Sequence, residues 1–259
     1  MENKNWSKDE LIVAFNLYCK TPFTKINATN KAVVELAGEI GRSPSAVALK
    51  LANFARLDPE LQKRHISGMS HGSKMEAGIW QEFKNNGEEL AYQSEQILAK
   101  YKEEPIEKTS GIDISDLPKE GKERETLVKI RVNQAFFRKT ILASYDNRCC
   151  ITGISIPDLL VASHIIPWAI DKKNRMNPCN GLCLNALHDK AFDAGFISIS
   201  TEYTLLISNV IKKSSIINHR CFYHMKGKRL TCLKNFYHRR NFLNFITNLF
   251  LNKCLKRFS

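Results

Sequence analysis

Along the first hundred residues, apolar positions recur three and four apart, the period of helices that bury one face. Leu11, Ala14, Phe15 and Tyr18 form one stripe, and Pro22 ends it. Ahead of it stand Ser7 and Glu10, a capping box in which the serine accepts an orphan N–H and the glutamate reaches back. Val33, Leu36, Ala37 and Ile40 form a second stripe that stops at Gly41. Ser43 caps a third helix, and Pro44 is already set for its first position. Val47, Leu51, Phe54 and Ala55 face inward there, leaving Lys50, Asn53 and Arg56 turned outward. Residues 65–74 are rich in Gly and Ser and predict a loop, after which Trp80, Phe83, Leu90, Ile97 and Leu98 carry helical spacing on to Tyr101. The pattern predicts an all-α domain over residues 1–102. Residues 103–125 are polar, contain Pro and Gly and lack an apolar period, which predicts a linker. From Thr126 helical spacing returns, in Val128, Ile130, Val132, Ala135, Phe136, Ile141, Leu142 and Tyr145.

After Cys149 the period changes. Cys150 to Gly153 predicts a strand running into a turn, and the β-branched run Leu159 to Ile166 predicts a second strand beside it. A helix from about Asn185 to Ala194 completes a ββα unit, and residues 201–209 predict one or two further strands. The fold class is therefore α+β: an N-terminal all-α domain (1–102), a linker (103–125), a second domain over 126–232, and a tail over 233–259. In that tail Phe242, Leu243, Phe245, Ile246, Leu249 and Phe250 predict a basic amphipathic helix.

Composition narrows the function. The chain has 259 residues, 43% of them apolar, yet no run approaches the ~18–20 apolar residues of a membrane span. A polar N-terminus without a signal-like apolar stretch predicts a cytoplasmic protein with no membrane partner. Eight cysteines include no C-x-x-C pair. Cys179 and Cys183 with Cys149 or Cys150 are the one grouping that suggests zinc, against the ordinary reading of reduced thiols as small buried hydrophobes. The net charge is +13, and residues 201–259 hold twelve Lys or Arg against one acid, Glu202. Such concentration suits a polyanion, or serves solubility alone.

The chemistry gathers in one stretch. His164 ends an apolar run, Asn180 follows in an NPCNGL loop, and His188 stands eight residues further on. Phosphodiester hydrolysis needs an activated water, neutralisation of developing charge and protonation of the leaving oxygen. An imidazole near neutral pKa and a divalent ion supply these.

The pattern HI-x-P, NGL-x-L, LH and FD-x-G, present here at His164–Pro167, Asn180–Leu184, Leu187–His188 and Phe192–Gly195, closely resembles the HNH endonuclease family, in a bacterial, restriction-type branch. "RVNQAFFRKTILASY", with Gln134, Phe137 and Arg138, resembles the helix leading into that module. The resemblance implies a ββα-metal nuclease that hydrolyses double-stranded DNA. His164 would activate water, Asn180 would hold the His164 strand, and His188 would bind the metal. The ion would be Mg²⁺, with Mn²⁺, Ni²⁺ or Zn²⁺ as alternatives. Many family members place Asp or His before the base, whereas here Ser163 stands there. Asp193 would compensate, or Asp189 in its place. Arg138, Lys172, Lys173 and Arg175 would contact phosphate, or serve only solubility. A homodimer would cut both strands and a monomer would nick.

The N-terminal trio, with Trp6 and GRSPSAVALKLANF, resembles Myb/SANT-like helix-turn-helix units. That likeness implies Arg42, Ser45 and Lys50 near DNA, and a packing domain is the alternative. Two rivals to a DNA nuclease stay open: a degenerate HNH scaffold that binds DNA without cutting it, and an RNA-directed nuclease.

Overall fold

The protein is described by a computed structural model covering residues 5–63, 65, 72–113, 115–211 and 215–230. The amphipathic helix expected over 233–259 lies outside them. The chain divides into two compact units that meet between Ser144 and Tyr145.

The first unit is helical: α1 (Lys8–Lys20), α2 (Lys31–Glu39), α3 (Pro44–Ala55), α4 (Pro59–Lys63), α5 (Lys74–Phe83), α6 (Gly87–Lys102), α7 (Ile106–Ser110) and α8 (Lys122–Ser144). Local chemistry fixes the ends. Ser7 and Glu10 form the full capping box of α1, and Ser73 and Glu76 form another on α5. Ser43 accepts from the Ala46 N–H with Pro44 at the first turn of α3, while Gly41 takes the left-handed φ of +67° that closes α2. Around α1 lie α3, α5, α6 and α8. Their shared core holds Leu11, Ile12, Phe15, Leu51 and Phe54, all buried. Phe15 stands 4.9 Å from Phe54 and 5.3 Å from Trp80, ring centre to ring centre.

Two expectations change here. The 103–125 stretch is polar, but it does not mark the division of the chain. Val128, Val132, Phe136 and Ile141 give α8 a buried face that packs on α1 and α6, so this helix belongs to the first unit. Lys50 and Asn53 also point inward rather than outward, because the carboxylate of Glu76, 0% exposed, lies beneath α3 and draws both.

In the second unit, β1 (Leu160–His164) and β2 (Gly181–Asn185) pair antiparallel, from Leu160 opposite Asn185 to His164 opposite Gly181. Residues 150–153, expected as a strand running into a turn, instead lie within a closed turn. Cys149 N–H donates to the Ile154 carbonyl, Gly153 takes a φ of +79°, and Cys150 N–H donates to the Cys183 carbonyl of β2. Two apolar residues beside a glycine are too few to sustain a strand once that turn closes. Next come α9 (Ala186–Asp193), the antiparallel pair β3 (Ile197–Ile199) and β4 (Leu205–Ile207), and α10 (Ile216–Cys221). Leu160, Ile165, Leu182, Leu184, Ile197, Ile199 and Leu205 form the buried centre. Among the described residues no helix is long and apolar enough to cross a membrane.

Candidate active site on the strand–strand–helix unit

His164 ends β1, half-buried, with its ring nitrogen Nε2 2.9 Å from the carbonyl oxygen of Arg175. A carbonyl only accepts, so Nε2 carries the proton and Nδ1 the lone pair. Burial pulls the imidazole pKa below its ordinary 6.5, and the Arg175 carbonyl offsets this in part by favouring the charged ring. The ring is therefore neutral at neutral pH, with one nitrogen able to take a proton and a dipole waiting for the positive charge that would follow.

Asn180 is fully buried and works on the backbone next to His164. Its Oδ1 accepts from the Ile166 N–H at 2.8 Å, and its Nδ2 donates to the carbonyls of Ile166 (3.2 Å) and Asn174 (3.3 Å). The Ile165 N–H in turn donates to the Asn180 carbonyl at 2.9 Å. One amide thus ties the end of β1 to the start of β2 and to the loop between them.

Across from β1, helix α9 carries His188, Asp189 and Asp193. It ends at Asp193, and Gly195 beyond it takes a φ of +72°. Asn185, the last residue of β2, caps this helix by accepting from the His188 N–H at 2.9 Å. An Asn three residues ahead of a His at a helix start was the available sequence signal for this contact. The same Oδ1 lies 2.9 Å from His188 Nδ1, while His188 Nε2 lies 3.2 Å from the Cys221 carbonyl. Both ring nitrogens therefore face acceptors, although a neutral ring has a single N–H. Burial lowers the His188 pKa, the Cys221 carbonyl opposes that, and His224 adds to the lowering.

Asp189 is set differently. Burial raises its carboxyl above the ordinary value, the nearby Ser163 hydroxyl draws it partway back, and the charge of Asp193 pushes it up again. The Ser163 hydroxyl is itself buried and has no partner in hydrogen-bond geometry among the described residues. Asp189, with the Ser163 hydroxyl beside it and the Asp193 charge nearby, offers oxygen donors of the kind that suits a hard divalent cation. His188 does not fit that role as arranged, since both its nitrogens are turned to protein oxygens. Among the described residues no three His, Cys, Asp or Glu side chains are grouped to hold a metal ion. That observation also covers Cys149, Cys150, Cys179 and Cys183, the cysteine grouping considered for zinc.

The basic residues separate into distinct settings. Lys172 and Lys173 are exposed on the loop between β1 and β2. Arg175, in the same loop, donates from Nε to the Trp168 carbonyl at 2.8 Å and lies 5.1 Å over the Trp168 ring. Arg138 sits half-buried on α8, in the first unit. Arg42 and Lys50 are committed internally. Arg42 makes a two-pronged pair with Glu10 (2.8 and 3.0 Å), and Lys50 pairs with Glu76. Trp6 lies under both cations, at 4.9 and 5.0 Å. The expectation that Arg42 and Lys50 face DNA therefore gives way, because two buried carboxylates hold them. Sequence reasoning also missed Trp168 and the Arg175 carbonyl, for which no local pattern exists.

No curated protein matches the chain. Residues 149–200 match the family model described as HNH endonuclease, a segment that contains β1, β2, α9 and every residue around His164 described above. The second unit thus carries, over residues 149–200, a segment that matches an HNH endonuclease domain.

Proposed function

We propose that the protein is a metal-dependent HNH endonuclease that hydrolyses DNA phosphodiester bonds, of restriction type, with His164 activating the attacking water. The observation that carries this reading is the pairing of His164 with the Arg175 carbonyl, which leaves the lone pair on Nδ1 of a neutral, half-buried ring. Such a ring can accept a water proton near neutral pH, and the carbonyl dipole stabilises the imidazolium as it forms. Asn180 keeps the strand end and loop in place, so that base and carbonyl stay aligned. Asp189, Asp193 and the Ser163 hydroxyl are the residues that would hold a divalent ion, Mg²⁺ in our reading. Such an ion supplies stabilisation of the charge that develops on the phosphate and the leaving oxygen. Lys172 and Lys173 would meet the DNA backbone. A dimer would provide the second site needed to cut both strands.

The test is nicking and linearisation of modified and unmodified plasmid by purified protein with Mg²⁺, Mn²⁺ or EDTA, beside His164→Ala. Cleavage that requires the ion and falls by about 10²–10⁴-fold in the variant, with DNA binding retained, is the expected result. Matched RNA substrates should stay intact.

One observation favours a second reading. His188 turns both ring nitrogens to protein oxygens, and no three-residue metal cluster forms among the described residues. This is what a scaffold that binds DNA without cutting it would show. DNA affinity without ion-dependent cleavage of either substrate would establish that reading in place of the first.

A further inference from the structure

Arg175 folds back on its own loop. Its Nε donates to the Trp168 carbonyl at 2.8 Å and its guanidinium covers the Trp168 ring at 5.1 Å. That ring meets the His164 imidazole edge-on at 5.4 Å, and the Arg175 carbonyl accepts a hydrogen bond from His164 Nε2 at 2.9 Å. The three residues close a ring of contacts around the imidazole. We propose that Trp168 and Arg175 form a positioning clamp, which holds His164 in the tautomer with its proton on Nε2 and its lone pair on Nδ1. Arg175 acts through this loop and not by touching substrate. The proposal rests on the reading of His164 as the base.

The carbonyl that orients His164 lies eleven residues downstream of it, so it stays aimed only while the intervening loop keeps its shape. Asn180 fixes that loop at Ile166 and Asn174. The Trp168–Arg175 contact, which spans most of the same loop, is the second hold. Asp171 tightens the turn by accepting from the Asn174 N–H and side-chain amide at 3.2 and 2.7 Å. Without the Arg175 contact the carbonyl can swing, and the ring is free to exchange tautomers and to rotate. The clamp needs arginine in particular: a planar guanidinium that donates from Nε while it lies on an aromatic face, a geometry lysine lacks. Lys172 and Lys173 stand exposed in the same loop, and phosphate contact falls to them.

The experiment compares wild-type full-length protein with Arg175→Ala, Arg175→Lys, Trp168→Ala and the Arg175→Ala/Trp168→Ala double variant. Histidine-selective ¹⁵N NMR reads the His164 tautomer without metal, and cleavage kinetics are followed across a salt series. Wild type should show one tautomer, protonated at Nε2, and each variant a mixture. The rate constant kcat should fall roughly ten- to a hundredfold, as expected of a base displaced by about an ångström. The KM for DNA and the salt dependence should not move, and the double variant should be no worse than either single one. Lysine is the decisive substitution, because it keeps the charge. Full activity in Arg175→Lys, or a raised KM with a flatter salt dependence in Arg175→Ala, would mark a phosphate contact and overturn the clamp. An unchanged tautomer in every variant would overturn it too. If wild type does not cleave, the nuclease reading fails, and the NMR comparison still decides the clamp independently.

Discussion

Each unit builds a cluster of a tryptophan and cationic side chains, and the two clusters are closed in opposite ways. In the first unit, Trp6 lies under Arg42 and Lys50, and the buried carboxylates of Glu10 and Glu76 meet both cations. Charge is balanced inside the unit, so the cluster contributes packing and stability. In the second unit, Trp168 lies under Arg175 and beside His164, but the acceptors that meet Arg175 and His164 are backbone carbonyls. A carbonyl orients a proton without cancelling a charge, and a ring held that way keeps a proton to gain. Similar side chains thus make a neutralised brace where carboxylates answer them and an imidazole still able to take a proton where dipoles do.

The largest effect expected from disturbing this contrast is in the brace. Lys50→Ala leaves the Glu76 carboxylate buried without its cation, which should cost the first unit roughly 3–5 kcal/mol, read by denaturant unfolding. Pairing Lys50→Met with Glu76→Gln should recover most of that loss, and DNA cleavage at 25 °C by the folded fraction should match wild type. In the second unit, Asn180→Ala should lower the cleavage rate about 10–100-fold while leaving the unfolding of the first unit unchanged. Equal loss in both units would show that the clusters are not independent.

Acid should separate the units next. Burial alone would raise the Glu10 carboxyl, but hydrogen bonds from Arg42 and Ser7 and the Arg42 charge carry it below 4.5. The unfolded chain then takes up the proton first, so this stabilisation is complete above pH 4.5 and fades as pH falls further. Burial carries His164 and His188 below 6.5. By the same sign the second unit begins to lose stability as pH falls through 6.5, about two pH units earlier. Segment-resolved hydrogen exchange between pH 7 and pH 4 should show residues 145–230 loosening before residues 5–144. The smallest effect belongs to the exposed pair: Lys172→Ala and Lys173→Ala should each reduce the salt slope of DNA binding by roughly one unit, with kcat unchanged.

Periodicity and capping signals made most of the first unit legible. The starts of α1 and α3, the stop at Gly41 and the inward stripe of α3 are all local features. Apolar spacing turns Lys50 and Asn53 outward because it carries no trace of a carboxylate on another helix. The fate of α8 was hidden for a related reason, since a polar stretch before it says nothing about which unit its apolar face will meet. In the second unit the order His164, Asn180, His188 singles out one stretch, and the Asn180 amide accepts from Ile166, two residues past the end of the strand that bears His164. The strand pairing was less legible. Gly181 and Leu182 read as loop until their register with Ser163 and His164 is known, whereas Cys150 to Gly153 reads as strand until its turn closes. The turn of His188 toward Asn185 and Cys221 had no counterpart in the family pattern.

The register that sets His164 opposite Gly181 also bears on how such a protein can change over time. The bonds that aim His164 close between His164 and Asn180, within one hairpin. Chain added before that hairpin, or exchanged at the division after Ser144, need not disturb them. Chemistry held so locally can be inherited whole and joined to new neighbours, while a single residue gained or lost inside β1 would turn His164 to the opposite face of the sheet.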